Sequence, residues 1–227
     1  MPIARINGRI LHFVHIPKTG GSSINAYLRA KGRLGLYSRT PVPWAQTTPQ
    51  HMDRATQVAL IPAQFCDAAF TVLRDPEARL VSEFRYRARR HAEAEGTVLR
   101  PGVDGAVTLE IDWGETFHGS FDAWVAEVLR RHAADPFTCD NHIRPQADFW
   151  RPGLKTFLLE DGLEPVFDWI DRKTATARTA FRRDDNQSPK LPVAMSTETR
   201  AAMRRFYAAD FELVRRIAGD RPAAVAS

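Results

Sequence analysis

Apolar positions cluster in three short runs, separated by longer stretches with helical spacing. Arg9 to Ile16 (RILHFVHI), Ala69 to Leu73 (AFTVL) and Thr156 to Leu159 (TFLL) are apolar or β-branched at most positions, as strands buried on both faces are. After the first run, INAYLRAKG reads as a helix, with Ser22 or Ser23 as its cap and Gly32 as its end. A second helix is expected around Met52 to Ile61. Asp75-Pro76 opens a third, with an acid at the cap and proline in the first turn. It runs to about His91, and Leu80, Val81, Phe84 and Ala88 form its apolar side. Phe121 to His132 and Leu163 to Asp171 are amphipathic. Ser196 caps a final helix whose Met203, Phe206, Tyr207, Phe211, Val214 and Ile217 make a broad apolar face. Strands alternating with helices predict a three-layer α/β sandwich around a central parallel sheet. Residues 93–119 depart from this rhythm, and their glycines and acids predict a surface excursion on the substrate side.

Composition adds limits. A chain of 227 residues suits one α/β domain, and no repeat or shift in composition divides it, so a single domain over residues 1–227 is expected. No run approaches the ~20 apolar residues that span a bilayer. The apolar stretch near the N-terminus leads into Pro17-Lys18-Thr19-Gly20-Gly21-Ser22-Ser23 and not into a small-residue cleavage site, which predicts a buried strand and a cytoplasmic protein. The net charge of +5 suits anionic ligands. The arginines are scattered apart from a cluster at 85–90, and no nucleic-acid module accompanies them, so no nucleic-acid partner is expected. Cys66 and Cys139 lack metal-ligand spacing and read as two free thiols.

Candidate chemistry begins at His15-Ile16-Pro17-Lys18-Thr19-Gly20-Gly21-Ser22-Ser23, between the first strand and its helix. Glycines let backbone N–H groups approach a ligand. The helix end adds partial positive charge, Lys18 a full one, and the hydroxyls donate. The result is a P-loop-like anion cradle, although Lys18 precedes both glycines, unlike the Walker order. Arg74 ends the second strand, where open α/β sheets bind ligands, and Ser82 lies two helical turns on. An arginine fork and a hydroxyl can grip a phosphate monoester. The competing reading pairs Arg74 with Asp75 or Glu77.

Together these motifs resemble the sulfotransferase superfamily, in particular the branch of carbohydrate sulfotransferases and bacterial relatives with a HIPKTGGSS-type loop. Asp140-Asn141-His142-Ile143-Arg144-Pro145-Gln146 and the terminal Tyr207-Ala208-Ala209-Asp210-Phe211-Glu212 extend the resemblance. It implies a sulfotransferase fold and sulfuryl transfer from 3′-phosphoadenosine-5′-phosphosulfate (PAPS) to an acceptor hydroxyl, of a carbohydrate or small metabolite, leaving 3′-phosphoadenosine-5′-phosphate (PAP). Lys18, Thr19, Gly20, Gly21, Ser22 and Ser23 would hold the 5′-phosphosulfate, and Arg74 with Ser82 the 3′-phosphate. Ser188 and Lys190, in a late polar loop, would reach the same nucleotide. The resemblance implies no metal. It favours His51 as the base, with Lys18 catalytic beside it. His15 supports the loop or acts as base, and His142 binds acceptor or packs.

Two other readings stay open. One is a nucleotide-dependent phosphotransferase using ATP and magnesium. The other is a non-catalytic member that holds PAP or a polyanion.

Overall fold

The computed structural model describes residues 1–102, 104–112, 114–181 and 191–219. The chain opens with antiparallel strands β1 (Ile3–Ile6) and β2 (Arg9–Val14), turned at Asn7-Gly8, both at positive φ. A loop leads into α1 (Gly21–Lys31), and the short β3 (Arg33–Gly35) returns beside β1. Then come α2 (Arg54–Leu60), β4 (Ala68–Leu73) and α3 (Pro76–Ala94). A hairpin of β5 (Val107–Asp112) and β6 (Glu115–Gly119) precedes α4 (Phe121–Ala134). The described residues end with β7 (Lys155–Leu158), α5 (Glu164–Thr174), α6 (Thr197–Phe206) and α7 (Ala208–Gly219).

The main sheet runs β3-β1-β2-β4-β7. β2, β4 and β7 are parallel, with Phe13 opposite Phe70 and Thr71 opposite Thr156. Successive side chains point to opposite faces. Leu11, Phe13, Phe70 and Val72 face α1 and α5, and the Phe13 and Phe70 rings stack at 4.9 Å. Val14, Leu73 and Leu158 face the other way, against Phe149 and Leu213 of α7. The architecture is therefore an α/β sandwich with a mostly parallel central sheet flanked by helices. Each fully buried side chain of this size contributes about 1.5–3 kcal/mol relative to exposure.

Three expectations are corrected. The first concerns β1 and β3, which add an antiparallel edge to the parallel core. The second concerns residues 93–119, which are more than a surface excursion. Val107, Leu109 and Ile111 are buried against Leu80 and Phe84 of α3 and Trp124 and Val128 of α4. The third concerns the final apolar face, which belongs to two helices. They part at Tyr207, whose buried hydroxyl donates to the Ile143 carbonyl at 2.7 Å. Met203 of α6 joins the α3–α4 cluster, while Leu213 of α7 covers the sheet, so one straight helix could not serve both. The caps Asp75 and Ser196 are as expected, accepting from Ala78 and Thr199 N–H. Among the described residues no helix is long and apolar enough to cross a membrane.

Candidate active site

The loop after β2 is shaped from beneath. Lys18 and Gly20 hold left-handed backbone, at φ 67 and 87. A side chain at Gly21 would put its Cβ 1.8 Å from His15 Nε2, so the His15 ring fills the space that any other residue would need. At Gly20 a Cβ would meet Leu159 and Leu163 at 3.1 Å in addition to the unfavourable φ. Neither Ser22 nor Ser23 caps α1, correcting the expected start. The cap position is Gly20, with no side-chain hydrogen bond, and no acid lies in the first turn. The positive end of an uncapped helix is thus left at a cleft that Gly20, Gly21, Ser22 and Ser23 line.

Arg74 and Ser82 open into the same cleft, about 600 Å³ in volume. Arg74 Nη1 donates to the Lys18 carbonyl at 3.2 Å, and Gln146 clasps the Arg74 backbone through both its N–H and its carbonyl. The ion pairs considered for Arg74 are taken elsewhere. Glu77 binds Arg200 and Arg204, and Asp75 caps α3. Arg79, 2% exposed, ties the two halves of the site. It donates to the carbonyls of Pro17, His142 and Arg144 at 2.8 to 3.1 Å.

Three histidines form a row at the cleft wall. The rings of His15 and His51 meet edge-on at 4.9 Å, and those of His51 and His142 at 4.7 Å. His51 Nδ1 lies 2.7 Å from Asp140 Oδ2. Asp140 also accepts from Thr48 N–H at 2.7 Å and from the Thr48 hydroxyl at 2.8 Å. Burial pushes the His51 imidazole down to about 4, against the opposing pull of Asp140. His142 Nδ1 lies 2.7 Å from Glu83 Oε2, and Arg87 donates to the other oxygen of that carboxylate at 2.5 Å. Burial alone would raise Glu83; His142 and Arg87 outweigh it and hold the carboxyl well below its usual range. Lys18 Nζ sits 3.9 Å over the Tyr86 ring. Burial lowers its ammonium to about 8, opposed by Glu83 and assisted by Arg74.

The segment that presents Asp140 is unusual. Cys139, Asp140 and Asn141 all have positive φ, at 58, 54 and 61. Asn141 donates to the His51 carbonyl and accepts from Arg144 Nε, both at 2.9 Å.

The expected residues Lys18, Gly20, Gly21, Ser22, Ser23, His51, Arg74, Ser82 and His142 all line this one cleft. Thr19 differs, because its side chain is fully buried and its hydroxyl donates to the Ile16 carbonyl at 2.9 Å. Only its backbone remains for a ligand. Ser188 and Lys190 lie outside the described residues. Sequence reasoning gave no role to Asp140, Glu83, Tyr86, Arg79 or Arg39. Two of them had a signal: Asp140 stands in the Asp140–Gln146 segment and Arg79 in the Arg74–Ser82 segment, both of which carry the resemblance. His51, Asp140 and His142 also offer ligand atoms within 4.8 Å of one another, a set able to hold a cation.

The family model described as the sulfotransferase family matches residues 8–214. The chain belongs to the sulfotransferase family and is a sulfuryl-transferring enzyme by that membership. No curated protein and no solved structure matches the chain.

Proposed function

We propose that the protein transfers the sulfuryl group of PAPS to an acceptor hydroxyl, in the manner of carbohydrate sulfotransferases, and that His51 is the base. The observation that carries this reading is the convergence of three features on one cleft. These are the loop from Pro17 to Ser23, the Arg74–Ser82 pair and the His51–Asp140 pair.

The residues suit such a donor. The uncapped start of α1 and Lys18 provide N–H groups and positive charge for a phosphosulfate. Arg74 and Ser82 provide a guanidinium and a hydroxyl for a 3′-phosphate. The donor supplies an activated sulfuryl group with phosphate as its leaving group. Lys18, cationic below about pH 8, offsets the negative charge that gathers on the leaving oxygen. His51 is neutral above about pH 4 and takes the acceptor proton at Nε2. Asp140 accepts from Nδ1–H, which fixes the tautomer and stabilises the imidazolium as it forms. His142, held by Glu83, stands beside His51 as an acceptor-side contact.

Calorimetric titration with PAP, beside 5′-AMP and beside ATP with magnesium, tests the nucleotide half. PAP is expected to bind at least ~10-fold tighter than 5′-AMP, or about 1.4 kcal/mol. Equal affinity for the two would remove the Arg74–Ser82 assignment. Preference for ATP with magnesium would favour phosphoryl transfer.

A further inference from the structure

Helix α2 turns an apolar face to solvent. Gln57 is buried on its inner side, where its amide donates to the Met52 carbonyl at 2.7 Å. Ala55, Val58 and Ala59 share the outer face by their spacing, and all three are exposed. The outward face of a surface helix is ordinarily polar or charged. The exposed surface runs on through Leu60 into the turn that carries Phe65. Val58, Leu60 and Phe65 are 63%, 48% and 50% exposed. Residues 55–66 carry no charged side chain. A single exposed apolar residue means little, but several together mark a contact surface.

Cations stand at the edge of this surface, gathered around Trp150. Arg54, the first residue of α2, donates from Nη1 to the Trp150 carbonyl at 3.5 Å. The Arg216 guanidinium lies 4.8 Å over the Trp150 ring. Arg151 follows Trp150 and sits beside Cys66, where burial raises the thiol and the Arg151 charge opposes the rise. Arg54 and Arg216 are both exposed. The acids that flank the segment are already paired, Asp53 with Arg144 and Asp67 with Arg9. An uncharged apolar centre with a basic edge suits an anionic lipid surface. It suits a second copy of the chain less well, because a stable protein interface takes about 20–30 residues a side and this patch offers far fewer. A lipid interface needs only a few inserted apolar side chains with cations beside them.

We propose that α2 and the turn to Phe65 seat in the surface of an anionic lipid bilayer, with Val58, Leu60 and Phe65 between the headgroups and Arg54, Arg151 and Arg216 against the lipid phosphates. The chain then lies on the membrane and does not cross it. None of these side chains lines the main cleft, so the seat stands or falls independently of the nucleotide reading. The two are nevertheless joined in the chain. Asp53, which caps α2 by accepting from Thr56 N–H, is two residues from His51.

The test is co-flotation of the full chain with vesicles of phosphatidylcholine alone, and of phosphatidylcholine with about one-third phosphatidylglycerol. The anionic vesicles are expected to bind it ~10-fold or more tightly, with the preference eroded by added salt. Val58→Glu and, separately, Phe65→Glu are expected to weaken binding by ~10-fold or more. Arg54→Gln is expected to lower the anionic preference about threefold to fivefold. Val58, Phe65 and Arg54 are exposed, so these substitutions leave the fold intact, and the melting temperature checks this. Equal binding to the two vesicles, no binding to either, or binding that survives both glutamate substitutions overturns the seat. Binding that PAP displaces would place the lipid phosphate in the cleft instead. Self-association in sedimentation that Val58→Glu abolishes would assign the face to a second copy of the chain.

Discussion

Asp140→Asn isolates the geometry on which the proposed mechanism depends. Asp140 sits at φ 54 and ψ 46, a left-handed conformation that Asn tolerates almost as well as Asp and that Ala does not. Asn is nearly isosteric and can still accept from Thr48. What changes is the partner of His51 Nδ1, now 2.7 Å from a carboxylate oxygen. An amide NH2 turned to that nitrogen favours the tautomer protonated at Nε2, which has no lone pair for the acceptor proton. If the amide oxygen is turned there instead, the tautomer survives but the charge that supports the imidazolium is gone. A charged hydrogen bond contributes about 1.5–3 kcal/mol, roughly 10- to 100-fold in rate. Loss of the correct tautomer takes the decrease toward the ~10²–10⁴-fold range of general-base catalysis. The expected result is turnover lower by ~10²-fold or more, with PAP affinity within about twofold of wild type. Nitrogen-15 imidazole spectra of the PAP complex report the His51 tautomer without needing the natural acceptor. Turnover within about threefold of wild type, with His51 still unprotonated at Nε2, would refute the assignment of Asp140 as the orienting group.

Other predictions follow from the same site. Turnover against pH is expected to be bell-shaped: the base is lost as pH falls through about 4, where His51 protonates, and the Lys18 charge is lost as pH rises through about 8. Lys18→Arg keeps its charge at high pH, so the alkaline limb should move up even if the peak rate falls; an unmoved limb would assign it to another group. Gly21→Ala drives a Cβ into the His15 ring and is expected to weaken PAP binding by tenfold or more, read by calorimetry with the melting temperature as a folding control. Chelation by EDTA is expected to leave turnover unchanged, and loss restored by a single divalent ion would identify His51, Asp140 and His142 as a metal centre.

The parallel core is legible in the sequence because β2, β4 and β7 are short and apolar, and β4 and β7 are each followed by a proline-started helix. The edge is less legible. β1 has only four residues, and the Asn7-Gly8 turn that closes its hairpin is the clearer clue. In β5, Val107, Leu109 and Ile111 alternate with Thr108, Glu110 and Asp112, a period-two signal that the polar surroundings hide. The cradle and Arg74 can be named from local sequence because their chemistry is local to two strand–helix junctions. The carboxylates behind the histidines cannot. His51 and Asp140 are 89 positions apart, and Glu83 and His142 are 59 apart. Only the folded chain brings them together, so sequence could rank the histidines but could not say what orients them.

The turn at 139–141 shows what holds this arrangement. Three consecutive left-handed residues of ordinary type would cost roughly 1–2 kcal/mol each if unsupported, less for Asp and Asn. The surroundings offset that cost through bonds that all point at the site. Asp112 receives Cys139 N–H at 3.3 Å and the Thr138 hydroxyl at 3.1 Å. Asp140 receives Thr48 and His51, and Asn141 bridges the His51 carbonyl and Arg144. Relaxing the turn to ordinary backbone would withdraw Asp140 from His51 and Asn141 from the segment that carries it. The strained turn and the imidazole therefore form one unit, built before any acceptor arrives. Asp112, at the end of β5, anchors that unit through the hairpin that buries Val107, Leu109 and Ile111. The segment that reads as a surface excursion in sequence is thus part of the support that keeps His51 in place.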